Sequence, residues 1–245
     1  MRHPVRHRVQ RDGGATVSFG EGLPSTEELV QVGAPATLRD GSRVRIRQGH
    51  RSDRELLLRG FARLSPESRY RRFLVPIAAL TDEMVRHLTE IDHRDHEAMI
   101  AVDEETGDGI GVARYVRSAD RPDVAELAVT VIDDWQGKGL GTLLVEVLSA
   151  RARAEGITTF SALMLARNEE MMDLLKHLDT VRIIDQELGT VEIEVPIPEI
   201  GLAPALKRLL QIAGRHDVVV PLAGHDQPSR LAAYLNSERP PGSTG

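Results

Sequence analysis

The chain has 245 residues, 41% of them hydrophobic and 28% charged, which allows one domain with extensions, or one and a half domains, around a real buried core. It contains no cysteine, which excludes disulfides, thiolate metal sites and a cysteinyl acyl-enzyme and fits a reducing, cytoplasmic setting. A net charge of −6 argues against general nucleic-acid binding, and no apolar run approaches the ~20 residues of a membrane span. Aromatic residues make up only 3%, so the core must be built from Leu, Val, Ile and Ala. Lysine occurs only at Lys138, Lys176 and Lys207 while arginine is abundant, a bias that points to a GC-rich bacterial genome. Met1 to Asp12 is basic with no apolar stretch behind it, so no secretory signal is expected.

In chain order, residues 1–41 read as an arm, partly flexible, with Gly13-Gly14, Gly20, Gly22, Pro24 and Pro35 as breakers. Arg43 to Arg47 alternates as a strand with Val44 and Ile46 inward. Ser52-Asp53-Arg54-Glu55 resembles a capping box and predicts a helix over about 53–63. Ser65 followed by Pro66 opens a second helix through Phe73. Thr81 opens a third, with Met84, Val85, Leu88 and Ile91 inward. Strands are predicted at His96 to Asp103, Ile110 to Val116 and Val124 to Ile132. A glycine loop follows, then a helix from Leu140 to Ala154 with Gly156 as its C′ residue. A strand at Phe160 to Leu165, a short helix capped by Asn168, and an antiparallel pair around Gly189 complete the domain, 42–198. Residues 199–245 form an extension, with an amphipathic helix over 203–213, a short strand at 218–220 and a disordered tail. The order gives an α/β (α+β) plan with one central sheet.

The stretch Trp135 to Thr142 is strand, glycine loop, helix in sequence. Such a loop aims consecutive backbone N–H groups and the positive end of a helix at one point, which suits a phosphate or pyrophosphate. It matches neither common phosphate loop. Lys138 sits between two glycines rather than before Ser or Thr, and Leu144 stands where a dinucleotide fingerprint needs Gly or Ala. A tight glycine turn with no ligand is the alternative.

The motif Gln136-Gly137-Lys138-Gly139-Leu140-Gly141 resembles the acetyl-CoA loop of the GNAT acetyltransferase superfamily, Gln/Arg-x-x-Gly-x-Gly/Ala between strand four and the next helix. Asn168-Glu169-Glu170-Met171 is a second match. The resemblance covers roughly residues 42–198. Leu64 to Phe73, Ile91 to Glu97 and Ala125 to Val129 are similar, within that superfamily, to bacterial protein lysine acetyltransferases of acyl-CoA synthetases and their standalone relatives. Some of these carry a cyclic-nucleotide-binding domain, and none is expected in the arm here.

The resemblance implies a mixed, mostly antiparallel sheet, splayed between strands four and five and flanked by helices. It implies that acetyl-CoA lays its pantetheine along the backbone of Leu127, Ala128, Val129 and Val131. The pyrophosphate would rest on Gln136, Gly137, Lys138, Gly139, Leu140, Gly141 and Thr142, with Asn168 nearby. Each hydrogen bond to the charged group would contribute ~1.5–3 kcal/mol. Lys138 and Arg167 could add charge, unless Lys138 simply points to water. Amine acetylation needs a neutral nucleophile, and a free lysine has a pKa of ~10.4, so a base is required. Glu126, ten residues before Gln136, stands where related enzymes put one. A solvated strand-end glutamate is the alternative. Direct transfer in a ternary complex follows from the absence of cysteine.

Many superfamily members have a Tyr seven residues after the capping Asn; here it is Leu175, which leaves Tyr70, Tyr115, water or no group at all as the acid. His87, His93 and His96 with Asp92 and Asp95 match no metal spacing, and no metal is expected. Arg69, Arg71 and Arg72 read as an exposed basic helix face rather than an anion site. Asp103 to Glu105 and Asp133-Asp134 read equally as substrate attraction or as solvated turns. The first reading is a protein lysine N-acetyltransferase whose partner is an acyl-CoA synthetase or another lysine-bearing protein. Acetylation of a small amine and a catalytically silent acyl-CoA-binding module are the alternatives. The helix at 203–213 could cover the sheet, pair two copies as a homodimer, or occlude the substrate cleft.

Overall fold

A computed structural model describes residues 33–165, 181–187 and 189–198. The expected helix after Asn168, the helix over 203–213, the strand at 218–220 and most of the arm lie outside the described residues. One eight-stranded sheet organises the rest. Its strands are β1 (Ala34–Thr37), β2 (Arg43–Gln48), β3 (His96–Asp103), β4 (Gly109–Arg117), β5 (Val124–Val131), β6 (Thr159–Leu165), β7 (Arg182–Glu187) and β8 (Thr190–Pro196). They lie in the order β1-β2-β3-β4-β5-β6-β8-β7. All neighbours are antiparallel except β5 and β6. The mixed, mostly antiparallel sheet of the sequence reading is therefore present, with one addition. Ala34–Thr37, assigned to the arm, is an edge strand paired with Thr37 opposite Arg43.

Among the described residues four helices flank the sheet: α1 (Arg54–Ala62), α2 (Pro66–Phe73), α3 (Asp82–Thr89) and α4 (Leu140–Ala154). Their ends follow from local chemistry. The Ser65 side chain accepts the Ser68 N–H with Pro66 in the first turn, and Thr81 accepts the Met84 N–H. The start of α1 differs from expectation. A 3₁₀ turn, Arg51–Asp53, precedes it, and the reciprocal cap joins His50 and Asp53 rather than Ser52 and Glu55. The Asp53 carboxylate also takes two bonds from Arg47, at 2.6 and 2.8 Å, which outweighs its burial and holds its pKa below the ordinary value.

The longest helix, α4, lies on the face that carries Leu127, Val129 and Val131. Leu140, Leu143, Leu144 and Leu148 are all buried there. Gly111 of β4 allows the close approach: a Cβ there would stand 3.1 Å from Leu144 Cδ1 and 3.3 Å from Leu140 Cδ2. At the far end of α4, Arg151 donates to the fully buried Glu97, which also accepts from Gln48 at 2.6 Å and bonds His93 at 2.9 Å. The opposite face is covered by α1, α2 and α3.

Leu144 has no exposed surface and fills the space that Gly111 leaves open. Leu144→Ala should cost about 2–5 kcal/mol in denaturant unfolding with little change in the denaturant slope.

Candidate active site

β5 and β6 run parallel for three residues, Val124 to Glu126 opposite Thr159 to Ser161, and then part. Both strands continue past that point. The Ile132 N–H donates to the Ile110 carbonyl and the Val124 carbonyl accepts from Ser118, so even-numbered residues of β5 turn their backbone groups to β4. Leu127, Val129 and Val131 turn theirs to the other edge, where the Glu126–Ser161 pair still takes the Leu127 N–H and β6 covers nothing beyond it. Ala128 faces Arg114 across the β4 ladder, so its backbone groups are already taken. The splay expected between strands four and five of the superfamily is this fork.

The glycine loop closes the open end of the fork. Gly139, at φ +91°, is the N-cap of α4 and makes no side-chain cap, so the first-turn amides of Leu140, Gly141 and Thr142 keep no intrahelical or capping acceptor. Gly137 is also left-handed, at φ +73°. The Gln136 side chain donates to the Val131 carbonyl at 3.0 Å and so ties the loop to the free edge. Lys138 does not point away to water: its ammonium lies 3.0 Å from Asp40 and 4.5 Å from the centre of the Trp135 ring. Arg39 also reaches the loop, its Nε 3.1 Å from where a Cβ on Gly139 would stand. Sequence reading missed Arg39 and Asp40 because the turn between β1 and β2 carries no local signal of its distant partner.

Asp133 holds a second side of the site together. Its carboxylate accepts from the Ser65 N–H at 3.0 Å, the Ser65 hydroxyl at 2.8 Å and the Ser68 hydroxyl at 2.9 Å. These bonds outweigh partial desolvation and keep its pKa below the usual carboxylate value. The start of α2 is thus pinned to the turn before the glycine loop. Asp133 lies in an exposed turn, as one of its two readings has it, and its carboxylate has a further role there as a clamp on α2.

Glu126 is the last residue of β5 paired with β6. Its side chain lies on the face away from α4, toward Arg72 of α2 and Arg114 of β4. Its Oε1 is buried and has no hydrogen-bond partner. Burial raises the carboxyl to about 8, Glu192 adds to the rise, and the attraction of Arg72 and Arg114 only partly offsets it. Arg72 corrects the sequence reading of an exposed basic face, since it is 6% exposed. Its helix neighbours are engaged as well: Arg69 stacks on Phe61 and Arg71 pairs with Glu67 at 2.7 Å.

Tyr115, one of the two candidate acids, is fully buried, and its hydroxyl donates to the Arg94 carbonyl at 3.0 Å. Burial and the nearby Glu97 raise its pKa, so it is poorly placed to give up a proton. Asn168, Arg167 and Leu175 lie outside the described residues. Asp92 caps the N–H groups of Arg94, Asp95 and His96, the His87 and His96 rings stack at 5.7 Å, and Arg114 contacts His96. Among the described residues no cluster of three metal-ligating side chains occurs.

Comparison with known proteins agrees with this geometry. The model of the acetyltransferase (GNAT) family matches residues 61–179. Acetyltransferase Pat of Mycolicibacterium smegmatis is 32% identical over 170 residues, which are 69% of this chain and 50% of that protein. The chain therefore spans half the length of that relative. An acetyltransferase of Pseudomonas aeruginosa is 34% identical over 140 residues, 56% of this chain and 75% of that protein. The crystal structure of the GNAT domain of S. lividans PAT is 31% identical with a TM-score of 0.60, over 67% of this chain and 96% of that domain.

Carbon-detected NMR of the Glu126 carboxyl should give a midpoint near 8, and Arg72→Gln, which removes an attracting cation, should move it higher. The folded value lies above the unfolded one, so the protonated carboxyl favours the fold below pH 4.5 and that contribution is lost as pH rises through about 8. Chemical unfolding should accordingly show Glu126→Gln gaining on the wild type across that window. An equal stability difference at both ends would contradict the assignment.

Proposed function

The chain belongs to the GNAT acetyltransferase family, and on that premise we propose that it acetylates a protein lysine with acetyl-CoA, the deprotonated amine attacking the thioester directly and Glu126 serving as general base. The observation that carries this reading is the place of Glu126, at the fork, one residue before the free edge of β5, with a carboxyl near 8. A base with a pKa close to the working pH both exists in its ionised form and holds the proton it takes.

The residues present fit acetyl-CoA. The Leu127 carbonyl, both backbone groups of Val129 and the Val131 N–H remain open on that edge and match the amides of a pantetheine arm as a further strand would, while the Val131 carbonyl is held by Gln136. The left-handed Gly137 and Gly139, with the uncapped first turn of α4, make a cradle for a pyrophosphate. Arg39 and Lys138 stand beside that cradle and would add positive charge. Acetyl-CoA supplies an acetyl thioester, whose thiol is itself a good leaving group. Glu126 would take a proton from the acceptor ammonium, directly or through water. An N–H of the β5 edge would stabilise the negative charge that develops on the acetyl oxygen. A protein lysine is preferred to a small amine because the Leu64–Phe73, Ile91–Glu97 and Ala125–Val129 stretches resemble the protein-modifying branch of the superfamily, and an acyl-CoA synthetase is the first partner to test.

The purified chain, incubated with acetyl-CoA and an acyl-CoA synthetase, should yield acetyl-lysine detectable by mass spectrometry. Glu126→Gln should leave acetyl-CoA affinity within about twofold and lower kcat by about 10²–10⁴. In the wild type kcat/KM should rise with pH and level off above about 8, because the base must lose its proton first. Retention of that rise in the variant would remove Glu126 from the role. Tight acetyl-CoA binding with no transfer to any amine would leave only a silent acyl-CoA-binding module.

A further inference from the structure

A cavity of about 110 Å3 lies between α1, α2, α3 and the sheet. Most of its wall is apolar, with Leu56 and Leu57 of α1, Leu88 of α3, and Ile100 and Val112 of the sheet. One end is different. Arg72, Arg114 and Thr130 all line the cavity, and each carries a buried polar atom with no hydrogen-bond partner: Nη1, Nε and Oγ1 respectively. Arg72 is 6% exposed and Arg114 2%, so bulk water does not solvate the guanidinium groups.

Among the described residues no carboxylate is bonded to the pair. Arg114 Nη2 donates to the His87 carbonyl at 3.3 Å and contacts His96, and Arg72 lies 5.1 Å from the Phe73 ring centre. These are dipoles and rings, not counter-charges. Glu126 attracts both guanidinium groups, but its buried Oε1 is bonded to neither, and near neutral pH its carboxyl is mostly protonated. Two buried cations therefore share one acid that is largely neutral, an arrangement that calls for an anion.

We propose that this cavity binds a small aliphatic carboxylate, its head between Arg72, Arg114 and Thr130 and its tail against Leu56, Leu57 and Leu88. The donors select the head. Guanidinium groups donate only, and their fork matches a carboxylate, with the Thr130 hydroxyl as a third donor. A lysine ammonium would meet two cations and is excluded. The walls select the tail, because a phosphate would leave the apolar part unfilled. An apolar cavity of ~150 Å3 accepts benzene, so the smaller space suits an acid of about four or five carbons. The site shares Arg72 and Arg114 with the surroundings of Glu126 but lies off the open backbone edge of β5, and its occupancy is measured without turnover, so its failure would not bear on acetyl transfer.

Calorimetric titration of the full chain at neutral pH with sodium butyrate, n-butanol and n-butylamine tests the proposal. Butyrate should bind one to one with a Kd at or below roughly 10 mM, within the reach of so small a ligand. Butanol should bind at least about tenfold more weakly, and butylamine not at all. Arg72→Gln should weaken butyrate about tenfold or more. Leu57→Phe, which fills the apolar end and leaves the charges in place, should do the same, so the test survives if the arginine variant fails to fold. Thermal unfolding should show butyrate stabilising the wild type and not Leu57→Phe. Absence of both heat and stabilisation with the wild type would overturn the proposal. So would butyrate affinity unchanged in Leu57→Phe, or phosphate binding as tightly as butyrate.

Discussion

Three residues of parallel pairing between β5 and β6 set the position of everything else at the site. A ladder that continued past Glu126 and Ser161 would satisfy every backbone group of both strands. It stops because β6 belongs more to the other side. Its ladder with β8 runs unbroken from Thr159 to Leu165, and β7 joins β8 in turn. The three strands leave the main sheet as a unit and open the wedge beside Leu127, Val129 and Val131. Unpaired strand edges are costly or adhesive, and here the edge lies next to the uncapped start of α4. One strand thus presents a row of amides, a cluster of helix-end amides and a buried carboxyl within a few residues.

The carboxylates of this region divide according to whether a donor touches them. Asp53 is partly buried and Asp133 exposed, and both are held below their ordinary pKa values because N–H, O–H or guanidinium groups bond them directly. Glu126 has two guanidinium groups in attraction and no donor on Oε1, and it titrates near 8. Desolvation wins over attraction acting without a hydrogen bond. The same lack of direct bonding leaves Arg72 and Arg114 incompletely satisfied, so the features of the base and of the cavity behind it have one origin.

Much of this was legible in the chain itself. Ser65-Pro66, Thr81 and Gly156 mark helix ends through interactions within a few residues, and the alternation of β2 and β5 reports one face against another. The glycine loop was readable as an amide cradle for the same reason. What could not be read depends on contacts between distant segments. Ala34–Thr37 has a proline and no large apolar residue, and only its register with β2 makes it a strand. Val-Thr-Val suits a strand but does not encode a splay, which β8 imposes from the far side of β6. Arg72 sits in a run of arginines that reads as a solvated face, and it is buried because α2 packs against β5. The candidate role of Glu126 came from family position, while its perturbed environment required the three-dimensional neighbours. The His50–Asp53 cap was missed because a 3₁₀ turn shifts the register of α1 by one step.

The Asp133 clamp makes the short connection between β5 and α4 a ruler. At one end Asp133 grips Ser65 and Ser68 at the head of α2; at the other, Gly139 starts α4. Arg72 rides on the helix that Asp133 holds, and the amide cradle rides on the helix that Gly139 begins. Five residues separate two parts of one site, so an insertion or deletion between them would lift Asp133 off its serines or carry the cradle away from the strand edge. This connection should resist length variation where other surface loops, such as the Glu104–Asp108 turn, tolerate it. Among natural or designed variants, the span from Asp133 to Gly139 is where homology in length would matter more than homology in residue type.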